Sequence, residues 1–284
     1  MSQAVLVSAK VCQFVDLASL NWAGDIYFTG YGARILVRFT DPELGAELAL
    51  RPAIGTRLAA RGLADRVLSV FHSGDRYWIF GDDEMKCQPI LRSDLLNAFD
   101  THLRAAFAEF SRRKLFVHGG VVGWQGRAIV FPGRSRAGKS TLVAELVKAG
   151  ASYLSDEYAV LDARCRVHPF AQPLALRDPA SACQRRVQLE DLRGVAAREP
   201  LPIGLVVMTE YRTDAVWQPV ILTSGEAALA ILANTIAARR WPQLALSVIG
   251  TLVERAPVLR SPRGEARALA STILDLTWIA PRRG

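Results

Sequence analysis

Residues 133–142 have the sequence GRSRAGKSTL, and the first eight of them fit the pattern G-x-x-x-x-G-K-[ST] at every position. The glycines let the backbone curl so that consecutive amide N–H groups point at one anion. Lys139 adds a mobile positive charge, and Ser140 adds a hydroxyl oxygen of the kind that Mg²⁺ prefers. The pattern therefore predicts a loop that binds the phosphates of a nucleotide. The residues of this phosphate loop are Gly133, Arg134, Ser135, Arg136, Ala137, Gly138, Lys139, Ser140 and Thr141.

The residues on both sides of the phosphate loop have the pattern of a strand followed by a helix. An apolar strand is predicted at residues 127–131 and an apolar helix at residues 139–149, which Gly150 closes. The N-terminus of a helix carries a partial positive charge that favours a bound phosphate. The alternative interpretation is a glycine-rich turn with an incidental lysine. Such a turn would not require Arg134 and Arg136.

An acidic pair, Asp156-Glu157, follows the predicted helix by one short strand at residues 151–155. Phosphoryl transfer needs a carboxylate near the γ-phosphate, either to hold Mg²⁺ or to accept the proton of the attacking hydroxyl. In a parallel sheet this strand would bring Asp156 beside the phosphate loop. We therefore predict that Ser140, Asp156 and Glu157 are metal ligands, with a solvated turn as the alternative interpretation of the acidic pair.

His118 lies in a predicted apolar strand, residues 115–122, which precedes the strand of the phosphate loop. A lone histidine in such a strand is usually a core or edge residue whose hydrogen bonds are satisfied within the fold. Assistance in proton transfer is the functional alternative.

The remainder of the chain indicates two domains. Residues 1–92 are expected to form a small β-rich α+β domain, with hairpins at residues 25–39 and 66–80 and short helical pieces within residues 42–62. Residues 93–114 have the spacing of an amphipathic linking helix with Ser93 as its N-cap.

Residues 115–284 mix strands and helices, which predicts an α/β domain with a mixed sheet flanked by helices. The apolar run at residues 203–209 indicates a buried strand. A capping box at residues 223–226 opens a helix to about residue 238. Two further helices are predicted at residues 241–254 and 264–278.

Composition excludes several classes of protein. The four cysteines are far apart and form no C-x-x-C pair, so neither a zinc site nor a disulfide framework is predicted. The sequence contains no apolar run long enough for a membrane span and no signal-peptide pattern, so a cytoplasmic location is expected. The net charge of +8 favours anionic partners or reflects an ordinary solvated surface. Nucleic acid is disfavoured because no run of five or six basic residues occurs.

His118-Gly119, the phosphate loop and Asp156-Glu157 together resemble the C-terminal domain of HPr kinase/phosphorylase, over about residues 115 to 165. The resemblance implies an ATP- and Mg²⁺-dependent kinase in which Lys139 binds the β- and γ-phosphates and Ser140 binds the metal. It further implies that Asp156 acts as general base or metal ligand, and that His118 lies near the reacting phosphoryl group.

The sequence departs from this family at three places. The second acid is Glu157, where the family has Asp, and the family's E-x-R-G segment is replaced by a distant echo at residues 191–194. Arg177 is a candidate for the arginine that stabilises charge on the transferred group. The N-terminal region does not resemble the family's first domain, which argues against an HPr kinase that senses carbon status.

The expected function is an ATP-dependent phosphotransferase acting on a hydroxyl. A serine of a peptide or protein is the favoured acceptor. The chain is similar in outline to lasso-peptide-tailoring kinases, so a lasso-type precursor peptide is the favoured acceptor. A kinase for a small hydroxylated metabolite and a P-loop regulatory ATPase are the alternatives. The sequence leaves open the preference for ATP over GTP, reverse phosphorolysis and whether the chain forms a homo-oligomer.

Overall fold

The structure, a computed structural model, describes residues 17–82, 84–85, 89–133, 137–177 and 184–276. The chain divides into two compact units, Met1–Phe107 and Ala108–Gly284. The division falls within a helix, Arg92–Phe110.

The first unit is built on a six-stranded sheet with the strand order β3-β1-β2-β4-β5-β6. The pairs β1–β2 and β4–β5 are antiparallel hairpins, which confirms both predicted hairpins, whereas β2 and β4 are parallel. A 3₁₀ helix, Leu17–Ser19, precedes the sheet. The strands are β1 Gly24–Gly30, β2 Ala33–Phe39, β3 Thr56–Ala59, β4 Arg66–Ser73, β5 Arg76–Gly81 and β6 Glu84–Met85.

Two helices belong to this part of the chain, α1 (Pro42–Ala49) and α2 (Arg92–Phe110). The Asp41 side chain caps α1 by accepting hydrogen bonds from the backbone N–H groups of residues 43 and 44. The prediction of Ser93 as the N-cap of α2 is wrong. The Asp94 N–H already donates to the Leu91 carbonyl oxygen at 3.0 Å, so the first turn forms earlier and includes Ser93.

The second unit contains an eight-stranded mixed sheet with the order β11-β10-β7-β8-β14-β16-β15, to which β9 adds by pairing with β7. Strands β8, β14 and β16 are parallel neighbours, and the other pairings are antiparallel. The mixed α/β class predicted for this region is confirmed. The strands of this sheet are β7 Leu115–Trp124, β8 Arg127–Pro132, β9 Ser152–Ser155, β10 Tyr158–Leu161, β11 Arg166–His168, β14 Leu201–Tyr211, β15 Val220–Ile221 and β16 Val258–Arg263. A separate two-stranded sheet pairs β12 Leu174–Arg177 with β13 Gln184–Val187.

Helices cover both faces of the large sheet because successive strand residues alternate between the faces. Ile129 and Phe131 pack in one apolar cluster with helices α3 and α6, and Ala128 and Val130 pack in another with α4 and α5. The bounds are α3 Lys139–Lys148, α4 Ser224–Leu232, α5 Pro242–Arg255 and α6 Ala266–Asp275. Within the described residues, no helix has the length and apolar character needed to cross a bilayer.

The capping box predicted at α4 is confirmed, with Thr223 and Glu226 bonding reciprocally. The helix ends at Leu232, earlier than expected. The following residues pair with β7 instead, where the Asn234 carbonyl oxygen accepts from the His118 N–H at 2.8 Å. The Ile236 N–H likewise donates to the Phe116 carbonyl oxygen at 3.0 Å.

Gly119 and Gly250 offer a matched test of how tightly the second unit is packed. A Cβ at Gly119 would lie 2.8 Å from the Phe131 carbonyl oxygen, a backbone atom of the paired strand β8. Nothing lies within 4 Å of a Cβ at Gly250 in α5. We expect Gly119→Ala to lower the free energy of unfolding by about 1–3 kcal/mol through overpacking. Gly250→Ala should raise it by up to about 1 kcal/mol through helix propensity. Urea denaturation of both variants gives the comparison, and equal shifts would contradict it.

Candidate functional site

The carboxyl ends of β8, β14 and β16 meet at one edge of the large sheet. Val206 of β14 pairs with Val130 of β8, and Tyr211 at the end of β14 pairs with Arg263 at the end of β16. The phosphate loop begins directly after β8. Ligands of open α/β sheets bind beyond the carboxyl ends of the strands, so the loop lies where this topology places a binding site.

The phosphate loop is anchored at both ends. At its start, the Gly133 N–H donates to the His118 carbonyl oxygen at 3.1 Å. At its end, Gly138 is the N-cap of α3 with a φ of 78°, and as a glycine it has no side chain with which to cap the helix. The start of α3 is the positive end of the helix dipole, which favours a bound anion. The predicted loop residues Arg134, Ser135 and Arg136 lie outside the described residues.

Lys139 is the first residue of α3 and only 8% exposed. Burial lowers the pKa of Lys139 from 10.5 to about 8, and the Asp156 carboxylate partly opposes this shift. A Cβ at Gly133 would lie 3.6 Å from Lys139 Cδ, so the lysine stem runs back along the start of the loop. Thr141, the last predicted loop residue, is exposed.

Ser140 and Asp156 are in direct contact, since the Ser140 Oγ donates to Asp156 Oδ2 at 3.0 Å. The expected parallel pairing of the strand before Asp156 is wrong: β9 pairs antiparallel with β7, with Val121 opposite Ser155. Because β8 also runs antiparallel to β7, β9 and β8 point in the same direction across it. Because the chain direction reverses from β8 to β7 and again from β7 to β9, Asp156 lies at the edge that holds the phosphate loop.

Tyr153 orients the Asp156 carboxylate, and the sequence had not singled it out. Its single hydroxyl proton is shared between Asp156 Oδ1 and the Gln172 carbonyl oxygen, each 2.9 Å from the Tyr153 oxygen. Burial, and then the charge of Asp156, raise the pKa of Tyr153 well above its ordinary value. The Ala175 N–H adds a longer bond to Asp156 Oδ2 at 3.4 Å. The available signal was a tyrosine three residues before the acid in an apolar strand.

His118 and Glu157 are tied to the same place by backbone bonds. His118 pairs with Tyr158 across β7 and β10, and the Gly119 N–H donates to the Glu157 carbonyl oxygen at 3.1 Å. Burial, with a smaller effect of Lys139, lowers the pKa of His118 from 6.5 to about 4. The imidazole is therefore neutral near pH 7 in the ligand-free site.

Of the arginines, the structure places Arg263 against the phosphate loop. Its Nη2 donates to the Gly138 carbonyl oxygen at 2.8 Å, and the residue is 2% exposed. Sequence reasoning missed it because 125 residues separate the two partners. The predicted Arg177 closes β12, opposite Gln184, and its side chain lies outside the described part of the structure.

The oxygen atoms at this edge fit a magnesium ion that is held partly by the protein and partly by the phosphates of a nucleotide. In the described part of the chain, no group of three or more His, Cys, Asp or Glu residues could hold a metal alone. Mg²⁺ bound with nucleotides typically takes one or two protein oxygens and completes its shell with phosphates and water. The paired oxygens of Ser140 and Asp156 fit that requirement.

Comparison with known proteins finds a solved structure with limited similarity. The chain matches the HPr(Ser) kinase/phosphatase from Coxiella burnetii at 18% sequence identity and a TM-score of 0.30, over 57% of this chain and 87% of that one. No family model matches the chain. No curated protein matches it in sequence.

Removal of the Tyr153 hydroxyl tests whether this group organises the site. Tyr153→Phe leaves Asp156 Oδ1 and the Gln172 carbonyl oxygen without their donor, which should cost about 1–2 kcal/mol in the free energy of unfolding. Tyr211→Phe is the matched control, since it removes a single hydrogen bond to Glu265 from an exposed tyrosine. The control should change stability by less than about 0.5 kcal/mol. Equal urea midpoints for the two variants would contradict this role.

Proposed function

We propose that this chain is an ATP-dependent phosphotransferase that moves the γ-phosphoryl group to a hydroxyl. The observation that carries the proposal is the contact of Ser140 Oγ with Asp156 Oδ2 at 3.0 Å, beside the buried Lys139. A hydroxyl and a carboxylate so paired form a ready site for the magnesium of a nucleotide. The metal, when bound, would neutralise charge on the β- and γ-phosphates.

The loop and Lys139 supply binding and charge stabilisation in this proposal. The first turn of α3 presents the positive end of the helix dipole toward the loop. Lys139 adds a cation that burial has removed from water, so its attraction to phosphate is less screened than at a surface. Positioning and electrostatics of this kind make up most of the catalysis of phosphoryl transfer.

Asp156 is assigned to the metal in preference to general base catalysis. Both of its oxygens already accept hydrogen bonds, Oδ1 from Tyr153 and Oδ2 from Ser140, which fixes the carboxylate toward the helix. His118 is neutral and can accept a proton, and the negative charge of a bound nucleotide would raise its low pKa. Glu157, adjacent to Asp156, remains a proposed second carboxylate ligand of the metal.

The proposed acceptor is a serine hydroxyl of a peptide or protein, with a lasso-type precursor peptide favoured. Its support is the sequence resemblance of about residues 115 to 165, together with the β-rich first unit. Transfer to a small metabolite, and ATP hydrolysis without an acceptor, are the other outcomes that the following test separates.

Asp156→Asn tests the proposed reaction. The variant keeps the size of the side chain and removes the charge that would hold the metal, so nucleotide should still bind while phosphoryl transfer falls by about a hundredfold or more. Transfer is measured with γ-labelled ATP and a panel of serine peptides and hydroxylated metabolites, and binding by calorimetry.

Asp275→Asn is the control, because it makes the same change at an exposed residue at the end of α6, and its transfer rate should equal that of the wild type. Label on peptides supports the proposed acceptor, and label on a metabolite alone replaces it. Phosphate release without any labelled acceptor would show a regulatory ATPase. A wild-type chain that binds no magnesium nucleotide would exclude all three.

The pKa of Lys139 predicts a pH dependence of nucleotide binding. A bound phosphate raises this pKa above its ligand-free value of about 8, so the complex holds more protons than the free protein above that pH. The contribution of Lys139 to the affinity should be constant below about pH 7 and fall by up to about tenfold per unit above pH 8. Calorimetry near pH 8 in buffers of different ionisation enthalpy should show proton uptake. An affinity independent of pH across this range would contradict the assignment, and Lys148→Met, at an exposed lysine, should leave the profile unchanged.

A further inference from the structure

Arg263 is a buried cation at the edge of the sheet where the phosphate loop lies. Its Nη2 donates to the Gly138 carbonyl oxygen at 2.8 Å and its Nη1 to the Gly264 carbonyl oxygen at 2.9 Å. The guanidinium carbon lies 5.6 Å from the centre of the Tyr211 ring. At 2% exposure, the side chain is almost fully removed from water.

Within the described part of the chain, the charge of Glu265 opposes only part of the effect of burial on the charge of Arg263. No carboxylate there forms an ion pair with it, and its Nε is buried without a hydrogen-bond partner. The nearby Glu265 accepts a hydrogen bond from the Tyr211 hydroxyl at 2.8 Å. Burial lowers the pKa of Arg263, yet a guanidinium stays protonated in proteins. A buried, unpaired ion is costly, so this arrangement calls for an anion.

The position of the charge adds to that requirement. Gly138 is the N-cap of α3, and its carbonyl oxygen also accepts the first hydrogen bond of the helix, from the Leu142 N–H at 3.1 Å. Arg263 therefore lies at the positive end of the helix dipole, where a cation is disfavoured and an anion is favoured. A second cation, Lys139, is buried on the first turn of the same helix.

Thr209 gives an independent indication of a ligand at this edge. Its Oγ1 is buried and has no hydrogen-bond partner among the described residues. Thr209 pairs with Ser261, two residues before Arg263. Val206 pairs with Val130 of β8, so the same register continued by three residues places Thr209 level with Gly133. Two orphaned polar groups thus occur at the ends of neighbouring parallel strands, beside the phosphate loop.

We propose that Arg263 is a fixed cation of the phosphate site, whose charge is balanced by the phosphate chain of a bound nucleotide. This inference rests on the proposed function and names the arginine that stabilises charge on the phosphoryl groups. Arg263 also holds the N-cap of α3, so it links the phosphate charge to the position of the loop. A purely structural clamp on Gly138 is the competing explanation.

The two explanations differ in what they predict for the ligand-free protein. In Arg263→Gln, the amide can still donate to the Gly138 carbonyl oxygen, but the charge is gone. If the cation awaits an anion, its removal should leave the melting temperature of the ligand-free protein unchanged or raised. Affinity for magnesium ADP and for inorganic pyrophosphate should fall by about ten- to a hundredfold. If the residue is only a clamp, loss of its second hydrogen bond, to the Gly264 carbonyl oxygen, should lower the melting temperature while the affinity stays unchanged.

Two further variants complete the experiment. Arg263→Lys keeps a positive charge and should recover part of the lost affinity, which a purely packing role does not predict. Arg260→Gln makes the same change three residues earlier on β16, at an exposed side chain, and should match the wild type in both measurements. Calorimetry gives the affinities, and differential scanning calorimetry gives the melting temperatures with and without ligand.

The outcomes separate this inference from the proposed function. Wild-type affinity for ADP or pyrophosphate in Arg263→Gln, or a variant that does not fold without ligand, would overturn the inference and leave the phosphotransferase proposal standing. Tight ADP binding that depends on Arg263, with no phosphoryl transfer to any acceptor, would support the inference and remove the proposed reaction. A wild-type chain that binds neither ligand would overturn both.

Discussion

Positive charge buried at one edge of a sheet is the constraint on which the second unit depends. Lys139, the first residue of α3, is 8% exposed. Arg263, which contacts the N-cap residue of α3, is 2% exposed. A protein interior does not tolerate such charges without anions or a dense set of hydrogen bonds. Asp156 compensates part of this charge, and its own position is fixed by Ser140 and Tyr153. The site is therefore built around a deficit of negative charge.

Strand direction explains how residues from distant parts of the chain reach this edge. The parallel strands β8, β14 and β16 end together, which contributes the loop, Thr209 and Arg263. The antiparallel strand β7 lies between β8 and β9, so β9 points the same way as β8 and delivers Asp156. The close approach of β7 to its neighbours requires the small residues Gly119 and Gly120, where a Cβ would meet Phe131 and Val143. Close packing thus accounts for the two glycines of the His-Gly-Gly segment.

The sequence predicted the local features of this structure well, because each depends on neighbours in the chain. The strand and helix that flank the phosphate loop, both hairpins of the first unit and the capping box at Thr223 follow from short-range patterns. Features set by pairing at a distance were missed or wrong. The antiparallel register of β9, the early end of α4 against β7 and the contact of Arg263 with Gly138 all require knowledge of which strands are neighbours. The acceptor and the metal stay predictions, since neither is fixed by a local pattern.

The pairing of β11 with both β10 and β14 has a consequence for self-association. Five strands, β11-β10-β7-β8-β14, close on themselves through this contact, so among the described residues β11 is paired on both sides. At the opposite end lies β15, which is only two residues long, Val220–Ile221. Exposed sheet edges recruit strands from other chains and seed aggregation, and short edge strands suppress this. In the described residues, the large sheet thus limits the backbone groups available for pairing with another copy, while the phosphate loop lies at the carboxyl ends of its parallel strands.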